Sequence, residues 1–322
     1  MYRFALILLS GVSFAWCQAT YQTDSLIVRA ILDSNGLRNV RVEDVTMAED
    51  GRIVVFEARR LGITRLPSII GNLDALGYLN LSNNLLTNLP AAIGRLRRLV
   101  GIDVSDNRIS TLPSEIGNLD SLLRLVVAMN RISAFPGSMG KLKNLESLHA
   151  NDNAFSSFPF VVCSLTKLKQ LVFSSNHIPS VPDSIGNLVS LEVLDFQGNQ
   201  LSQLPAGIAN LRKLKQLFLG SNRLTSLPSA MTGLALDTSR TGRTRYPLDV
   251  DTNKLCSLSV DLQQWVDIYE YNSNWRQSQE CSNTPTGGAP HGGCGAGTGL
   301  AMFLPLFSIG VYKCMQRKQI DL

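Results

Sequence analysis

The apolar pattern of this chain repeats itself at every twenty-third position. In the unit from Leu76 to Leu96, Leu79 and Leu81 alternate with polar neighbours, and further apolar residues follow at wider intervals. Alternation with a period of two predicts a short strand with one buried face. The wider spacing does not fit a helix, so we predict one coil per unit that turns all these side chains inward. Because the unit repeats, the strands are predicted to stack into a parallel sheet.

An asparagine and a proline recur with the same period. The asparagines are Asn84, Asn107, Asn130, Asn153, Asn176, Asn199 and Asn222. The prolines are Pro67, Pro90, Pro113, Pro136, Pro159, Pro182, Pro205 and Pro228. A buried amide where the chain leaves the strand can satisfy backbone groups that would cost about 1–3 kcal/mol each if unpaired, which predicts a structural asparagine ladder. Proline fixes φ and keeps the return segment out of a regular helix.

A glycine column on the return segment predicts tight bends on the convex side of each coil. Its members are Gly71, Gly94, Gly117, Gly140 and Gly186. Cys163 stands in the same column, so we predict that this thiol is a small buried residue and not a reactive one.

The residues before the repeats predict a cap, because a terminal coil would expose its core to water. From Asp24 to Leu37 the apolar residues follow a helical spacing, with Asp24 as the N-cap and Gly36 as the stop. The alternating runs Val40–Met47 and Arg52–Ala58 predict a hairpin that leads into the first coil. We therefore assign 20–52 to an N-terminal cap and 53–255 to the repeats.

The residues after the last regular repeat predict a loop and a second cap. Asn222 and Asn253 are 31 residues apart, eight more than the period, so residues 236–246 are expected to bulge out as a loop. A closing helix is predicted from Ser259 to Tyr271, with Leu262, Trp265, Val266 and Tyr269 facing the last coil. The alternative is an exposed aromatic binding box formed by Trp265, Tyr269 and Trp275.

Two cysteines flank this closing segment. Cys256 and Cys281 lie where an open solenoid end needs closing, so we predict a disulfide that stabilises residues 256–281 by about 3 kcal/mol.

These residues resemble the leucine-rich-repeat family, in the 23-residue class with LPxxIGxL on the return segment, as in Leu112–Leu119, LPSEIGNL. The resemblance covers about residues 53–255. It implies an α/β solenoid shaped as a horseshoe, with a parallel sheet on its concave face that recognises a protein or another ligand. The family has no shared catalytic residues, so none are carried over.

Composition and motifs exclude several other function classes. With 44% hydrophobic and 17% charged residues the chain can bury a large core, and its net charge of +5 is scattered, without a nucleic-acid footprint. No HExxH, paired CxxC, phosphate loop or GxSxG motif is present, so we predict neither enzymatic activity nor a metal or cofactor. His149 is the one histidine that could act as a base, but Asp103 and Asp195 lie two coils away, about 10 Å, so an exposed surface role is predicted.

The outward strand residues of the concave face are the candidate binding site. They are Tyr78, Asn80, Asp103, Arg124, Val126, His149, Val172, Asp195 and Phe218. Exposed valines and a phenylalanine beside polar residues predict a protein or peptide partner. Two alternatives stay open: a structural surface component that uses the repeats as a stiff spacer, and a cell-wall glycan binder, for which Tyr78 and Phe218 are the available aromatic platforms.

The two ends of the chain predict export and attachment to the cell surface or outer envelope. Residues 1–19 match a signal peptide, 282–298 a flexible linker, 299–312 an apolar membrane or sorting segment, and 313–322 a basic cytoplasmic tail. The tail resembles bacterial sorting signals of the MYXO-CTERM and GlyGly-CTERM kinds, which implies processing or attachment at Cys294. Retention as a single-pass membrane anchor is the alternative.

Overall fold

The computed structural model describes residues 20–238, 247–270 and 274–281. The predicted signal peptide, linker, apolar segment, basic tail and Cys294 lie outside these residues, as does most of the predicted loop. Within the described ranges, no helix combines the length and the apolar composition needed to cross a lipid bilayer.

A single sheet organises the described part of the chain, and the order of its ten strands follows the sequence. They are β1 (Thr46–Glu49), β2 (Arg52–Glu57), β3 (Tyr78–Asn80), β4 (Gly101–Asp103), β5 (Arg124–Val126), β6 (Ser147–His149), β7 (Gln170–Val172), β8 (Val193–Asp195), β9 (Gln216–Phe218) and β10 (Leu248–Asp249). Strands β1 and β2 are antiparallel, and the following pairs are parallel. These features are those of the predicted α/β repeat solenoid.

The strand register follows the sequence period. Leu79 of β3 pairs with Ile102 of β4, one full period later, and the same offset joins the strands from β2 to β9. Leu217 of β9 pairs with Leu248 of β10, an offset longer than the period by the same excess that separates Asn222 from Asn253. The extra residues therefore lie between these strands, where the loop was predicted.

Short 3-10 helices carry the chain back on the side opposite the sheet. In the repeats they are Ser68–Asn72, Ala91–Arg95, Ser114–Asn118, Gly137–Lys141, Phe160–Ser164, Asp183–Asn187, Ala206–Asn210 and Ser229–Gly233. A proline of the predicted column directly precedes each one, with φ between −59° and −75°. The proline ring holds φ in this range, and it suits this position because its missing N–H is not needed there.

The core between the sheet and the 3-10 helices is a column of buried leucines with a phenylalanine cluster at its centre. Leu79 and Leu81 are completely buried, as predicted. In the middle coils Phe135 and Phe155 pack edge to face with ring centroids 4.9 Å apart, and Phe155 meets Phe173 at 5.1 Å in the same way. Such pairs add about 0.5–1.5 kcal/mol each to the burial of their area.

The asparagine ladder joins each coil to the one before it. Asn107 donates from Nδ2 to the carbonyl oxygens of Leu81, Val104 and Ser105 at 3.0–3.1 Å, and its Oδ1 accepts the Leu86 N–H at 2.9 Å. The other predicted asparagines make the same contacts in their own coils, and Asn253 repeats them across the longer interval. One side chain thus satisfies four backbone groups from two coils.

Glycine recurs in this column for a different physical reason from the one predicted. These glycines do not have positive φ; instead, the next coil approaches them closely. A Cβ at Gly71 would lie 2.6 Å from the carbonyl oxygen of Ala92, which is a steric overlap. Cys163, by contrast, fits the column as a buried free thiol, and burial raises its pKa.

The N-terminal cap contains a helix and a hairpin, but two details of the prediction are wrong. Helix α1 already includes residue 20 and ends at residue 34, so Asp24 is inside it and not its N-cap. The Asp24 carboxylate is buried and accepts hydrogen bonds from Arg52 Nε and Ile53 N–H, both at 2.9 Å, so it joins the helix to β2. Gly36, at φ +75°, stops the helix as predicted.

The first strand of the hairpin is also shorter than predicted. Residues Val42–Asp44 form a 3-10 turn, and pairing begins only at Thr46. Val42 and Val45 are buried in the hydrophobic core, so their alternation with charged neighbours reflects a turn packed on the core.

The C-terminal cap consists of helix α2 (Val260–Tyr269) and the segment that follows it. Trp265 is buried and donates from Nε1 to the carbonyl oxygen of Leu234 at 3.0 Å, and Trp275 is 2% exposed and donates to Asp267 Oδ1 at 2.9 Å. The alternative of an exposed aromatic box is therefore wrong. Cys256 and Cys281 form the expected disulfide, with their Cα atoms 5.9 Å apart.

Candidate functional site

We define the sheet face as the outward side chains of β3 to β10. The strand register arranges them in two rows. The first row is Tyr78, Gly101, Arg124, Ser147, Gln170, Val193 and Gln216, and the second row is Asn80, Asp103, Val126, His149, Val172, Asp195, Phe218 and Asp249. The structure thus brings all the predicted binding residues to one surface.

The sheet face is more closely packed than the sequence predicted. Asn80 and Val126 are buried, with 4% and 7% of their surface exposed, and Val172, Val193 and Phe218 are half-buried rather than exposed. Neighbouring strands are only about 4.8 Å apart, so each outward side chain is covered by its two lateral neighbours. Val126 is therefore part of the packing of the surface and is not an accessible contact.

Tyr78 lies flat across the adjacent strand. A Cβ at Gly101 would come within 2.6 Å of the ring carbon Cδ2 of Tyr78, so the missing side chain at Gly101 makes room for the ring. Burial raises the pKa of the Tyr78 hydroxyl, and the Asp103 carboxylate raises it further. This tyrosine is a preorganised aromatic surface beside Arg124.

His149 is a half-buried neutral residue, so the prediction of an exposed histidine is wrong. Burial lowers the pKa of His149 to about 4, and the positive charge of Arg124 lowers it in the same direction. The ring contacts Gln170 Oε1 at 3.4 Å. At neutral pH this position therefore presents an uncharged imidazole in the middle of the sheet face.

Acidic and amide side chains at the ends of the strands bind the backbone two residues later. Asp103 Oδ1 accepts the N–H and the hydroxyl of Ser105 at 3.0 and 2.6 Å, and Asp195 Oδ1 accepts the Gln197 N–H at 2.9 Å. Burial raises the pKa of Asp195 to about 6, and its hydrogen bonds offset part of that rise. These turns fix the carboxylates on the surface at defined positions.

Sequence reasoning missed a group of carboxylates where the last coil meets the C-terminal cap. Oxygen atoms of Asp249, Asp251 and Glu270 lie within 4.8 Å of one another, a spacing that a hard cation can share. Protein donors already bind them: Glu270 accepts the Val250 N–H at 2.9 Å, and Asp251 accepts the Ser278 hydroxyl at 2.8 Å. The group joins the cap to the sheet and makes this end of the sheet face acidic.

The comparisons with known proteins agree with this geometry. The family model for the leucine-rich repeat region matches residues 65–171 and 156–237, more than half of the chain, so this protein belongs to the leucine-rich-repeat family. No curated protein matches the sequence significantly.

Solved structures give the same fold. A leucine-rich-repeat protein of Leptospira interrogans is 32% identical, with a TM-score of 0.55 over 63% of this chain and 56% of that one. The crystal structure of PEPR1–AtPEP1 is 26% identical, with a TM-score of 0.59 over 73% of this chain and 32% of that one. A TDR receptor is 28% identical, with a TM-score of 0.52 over 65% of this chain and 41% of that one. The chain thus spans about half or less of these proteins.

Proposed function

We propose that this protein binds an extended segment of a protein or peptide partner across its sheet face. The observation that carries the proposal is that Phe218, Val172 and Val193 remain partly accessible on the sheet face and are not part of the core between the sheet and the 3-10 helices. Partly exposed apolar side chains beside charged groups are the composition of a protein-binding surface.

The comparisons support the same class of function. Proteins of this family and fold are typically non-enzymatic interaction scaffolds. Among the similar structures, one is described as a receptor and another is PEPR1 with AtPEP1. A surface built by equal steps of about 4.8 Å suits a partner segment that lies across several strands.

We further propose that the protein acts outside the cell, exported by residues 1–19 and held at the surface by residues 299–312. The disulfide in the C-terminal cap supports this proposal, because such bonds persist in oxidising compartments. Protease treatment of intact cells, followed by immunodetection of the repeats, tests it. Repeats that stay protected until the cells are lysed would contradict a surface location.

Two matched variants test the proposed binding surface. Phe218→Asp places a charge on the sheet face, and Phe160→Asp makes the same change on the return side, where Phe160 is 71% exposed. We expect a partner captured from environmental or envelope extracts by the parent to be lost with Phe218→Asp and kept with Phe160→Asp. Circular dichroism and thermal unfolding establish that both variants are folded. Equal capture by both variants would show that the sheet face is not the binding surface.

A further inference from the structure

Asp195 carries a negative charge that lies between two apolar side chains. Val172 on β7 and Phe218 on β9 are its direct neighbours in the second row. In the described part of the chain, no lysine, arginine or histidine comes within ion-pair distance of this carboxylate. One oxygen accepts the Gln197 N–H, so the group is fixed in place but not neutralised.

Asp195 lies in an acidic half of the sheet face. Asp249 follows Phe218 in the same row, with Asp251 and Glu270 close to it. From β8 to β10 the described outward positions include no lysine or arginine. The electrostatic potential over this half of the sheet face is therefore negative, and a cationic group would be attracted to it.

Arg124 is the positive counterpart on the same surface. It is the one arginine or lysine among the described outward positions of β3 to β10. The residue is half-buried, and its guanidinium forms no hydrogen bond or ion pair with a described residue. Asp103 on the adjacent strand forms no ion pair with it; its Oδ1 accepts the N–H and the hydroxyl of Ser105 instead. A guanidinium fork of this kind suits a carboxylate, which it can bind through two parallel hydrogen bonds.

The distance between the two charges defines the length of a matching ligand. Asp195 is three strands beyond Arg124, about 14 Å across the sheet, and it is displaced by about 7 Å along the strand direction because it lies in the second row. The separation is therefore about 16 Å, which an extended chain covers in about five residues. His149, Gln170 and Val172 lie between the two positions and are uncharged at neutral pH.

We infer that the bound segment is amphoteric: a basic side chain lies over Phe218 and pairs with Asp195, and a carboxylate about five residues away pairs with Arg124. This inference rests on the proposed function and adds the chemistry of the partner. Lysine and arginine fit the Asp195 position because their aliphatic stems can pack on Val172 while the charged group reaches the carboxylate. An arginine would also contact the face of the Phe218 ring.

A random dodecapeptide library displayed on phage tests the inference with four forms of the purified protein. These are the parent, Arg124→Glu, Asp195→Lys, and the variant that carries both reversals. The matched control reverses the exposed Arg97–Asp120 ion pair, whose atoms are 3.8 Å apart, through Arg97→Glu with Asp120→Lys. This control changes the same residue types without touching the sheet face.

We expect the parent to enrich peptides with one basic and one acidic residue about five positions apart. A synthetic copy of the most enriched peptide should bind each single reversal at least about tenfold more weakly, and the control as tightly as the parent. The double reversal should enrich peptides with the two charges in the opposite order.

Two other outcomes separate the inference from the proposed function. If enriched peptides lose binding with Phe218→Asp but bind the parent and both single reversals equally, the amphoteric inference is wrong and sheet-face binding stands. If no peptide is enriched, or if Phe218→Asp has no effect on the enriched peptides, the proposed function fails and the inference fails with it.

Discussion

The raised pKa of Asp195 makes stability depend on pH with a known sign. Its carboxyl group has a pKa of about 6 in the folded protein because of burial, whereas an unfolded chain has about 3.9. The folded state binds this proton more tightly than the unfolded chain does, so protonation of Asp195 stabilises the folded state. This stabilisation is fully present below about pH 4 and is lost as pH rises through 6. The negative charges of Asp249 and Asp152 raise the pKa of Asp195 further.

We predict that Asp195→Asn raises the free energy of unfolding by about 1–2 kcal/mol at pH 8 and changes it little at pH 4. The amide keeps an oxygen for the Gln197 N–H, removes the charge and replaces the other oxygen with an NH2 donor, from which the Ser174 hydroxyl can accept. Urea unfolding at both pH values measures the effect, with Asp120→Asn as an exposed control. The same stabilisation at both pH values would show that desolvation of the charge is not its cause.

The backbone conformation at residue 129 is unfavourable for methionine, and the sequence alone does not reveal it. The residue before each ladder asparagine is left-handed, and Met129 has φ +54°, a conformation that asparagine tolerates better than methionine. We predict that Met129→Asn stabilises the protein by roughly 0.5–1 kcal/mol in thermal unfolding. Met47 is equally exposed but lies in β1, so Met47→Asn should destabilise. A loss of stability in both variants would contradict this account.

At the scale of the element, the sequence predicted the strands and the ladder but not the packing of the surface. The positions of Leu79 and Asn84 follow from a period of two and from an amide that must satisfy backbone groups of its own coil and the preceding one. The burial of Val126 and His149 depends on the side chains of the two adjacent coils, and these lie one full period away in the sequence. No local pattern includes that information.

The caps illustrate the same limit. Asp24 precedes an apolar run, which is typical of an N-cap, but its partners Arg52 and Ile53 are 28 and 29 residues away. Gly36 was predicted correctly because a helix stop depends on the local backbone alone. Tertiary hydrogen bonds overrode the local preference at Asp24, whereas no such contact was needed to stop the helix at Gly36.

The glycine column makes a prediction with a matched control. A Cβ at Gly117 would overlap the carbonyl oxygen of Ser138 in the next coil, whereas a Cβ at Gly137 would meet nothing within 4 Å. We predict that Gly117→Ala destabilises the protein by about 1–3 kcal/mol, because two coils must separate. Gly137→Ala should be neutral or stabilise by up to about 1 kcal/mol. Chemical unfolding compares them, and equal effects would exclude close coil approach as the reason for the column.

At the scale of the whole molecule, a solenoid depends on its ends. Each internal coil contacts only its two neighbours, so the core of the last coil is protected by the cap alone. In the C-terminal cap, Trp265 and Trp275 complete that core, and Arg276 lies over the Trp275 ring at 4.5 Å. The sequence predicted the cap from the cysteines and the helix, but the acidic group at its junction with the sheet forms only in the folded chain, where Asp249, Asp251 and Glu270 come together.

The disulfide should therefore control local opening from this end. Replacing Cys256 and Cys281 with serine is expected to lower stability by about 3 kcal/mol, since the bond closes a loop of 25 residues. Because contacts pass only between neighbouring coils, hydrogen exchange should rise first in residues 260–281 and β10, and least in β3 to β5. Cys163→Ala, which removes the buried free thiol, controls for the loss of a cysteine elsewhere. An equal rise of exchange along the entire sheet would mean that the coils unfold as one cooperative unit and that the cap does not act locally.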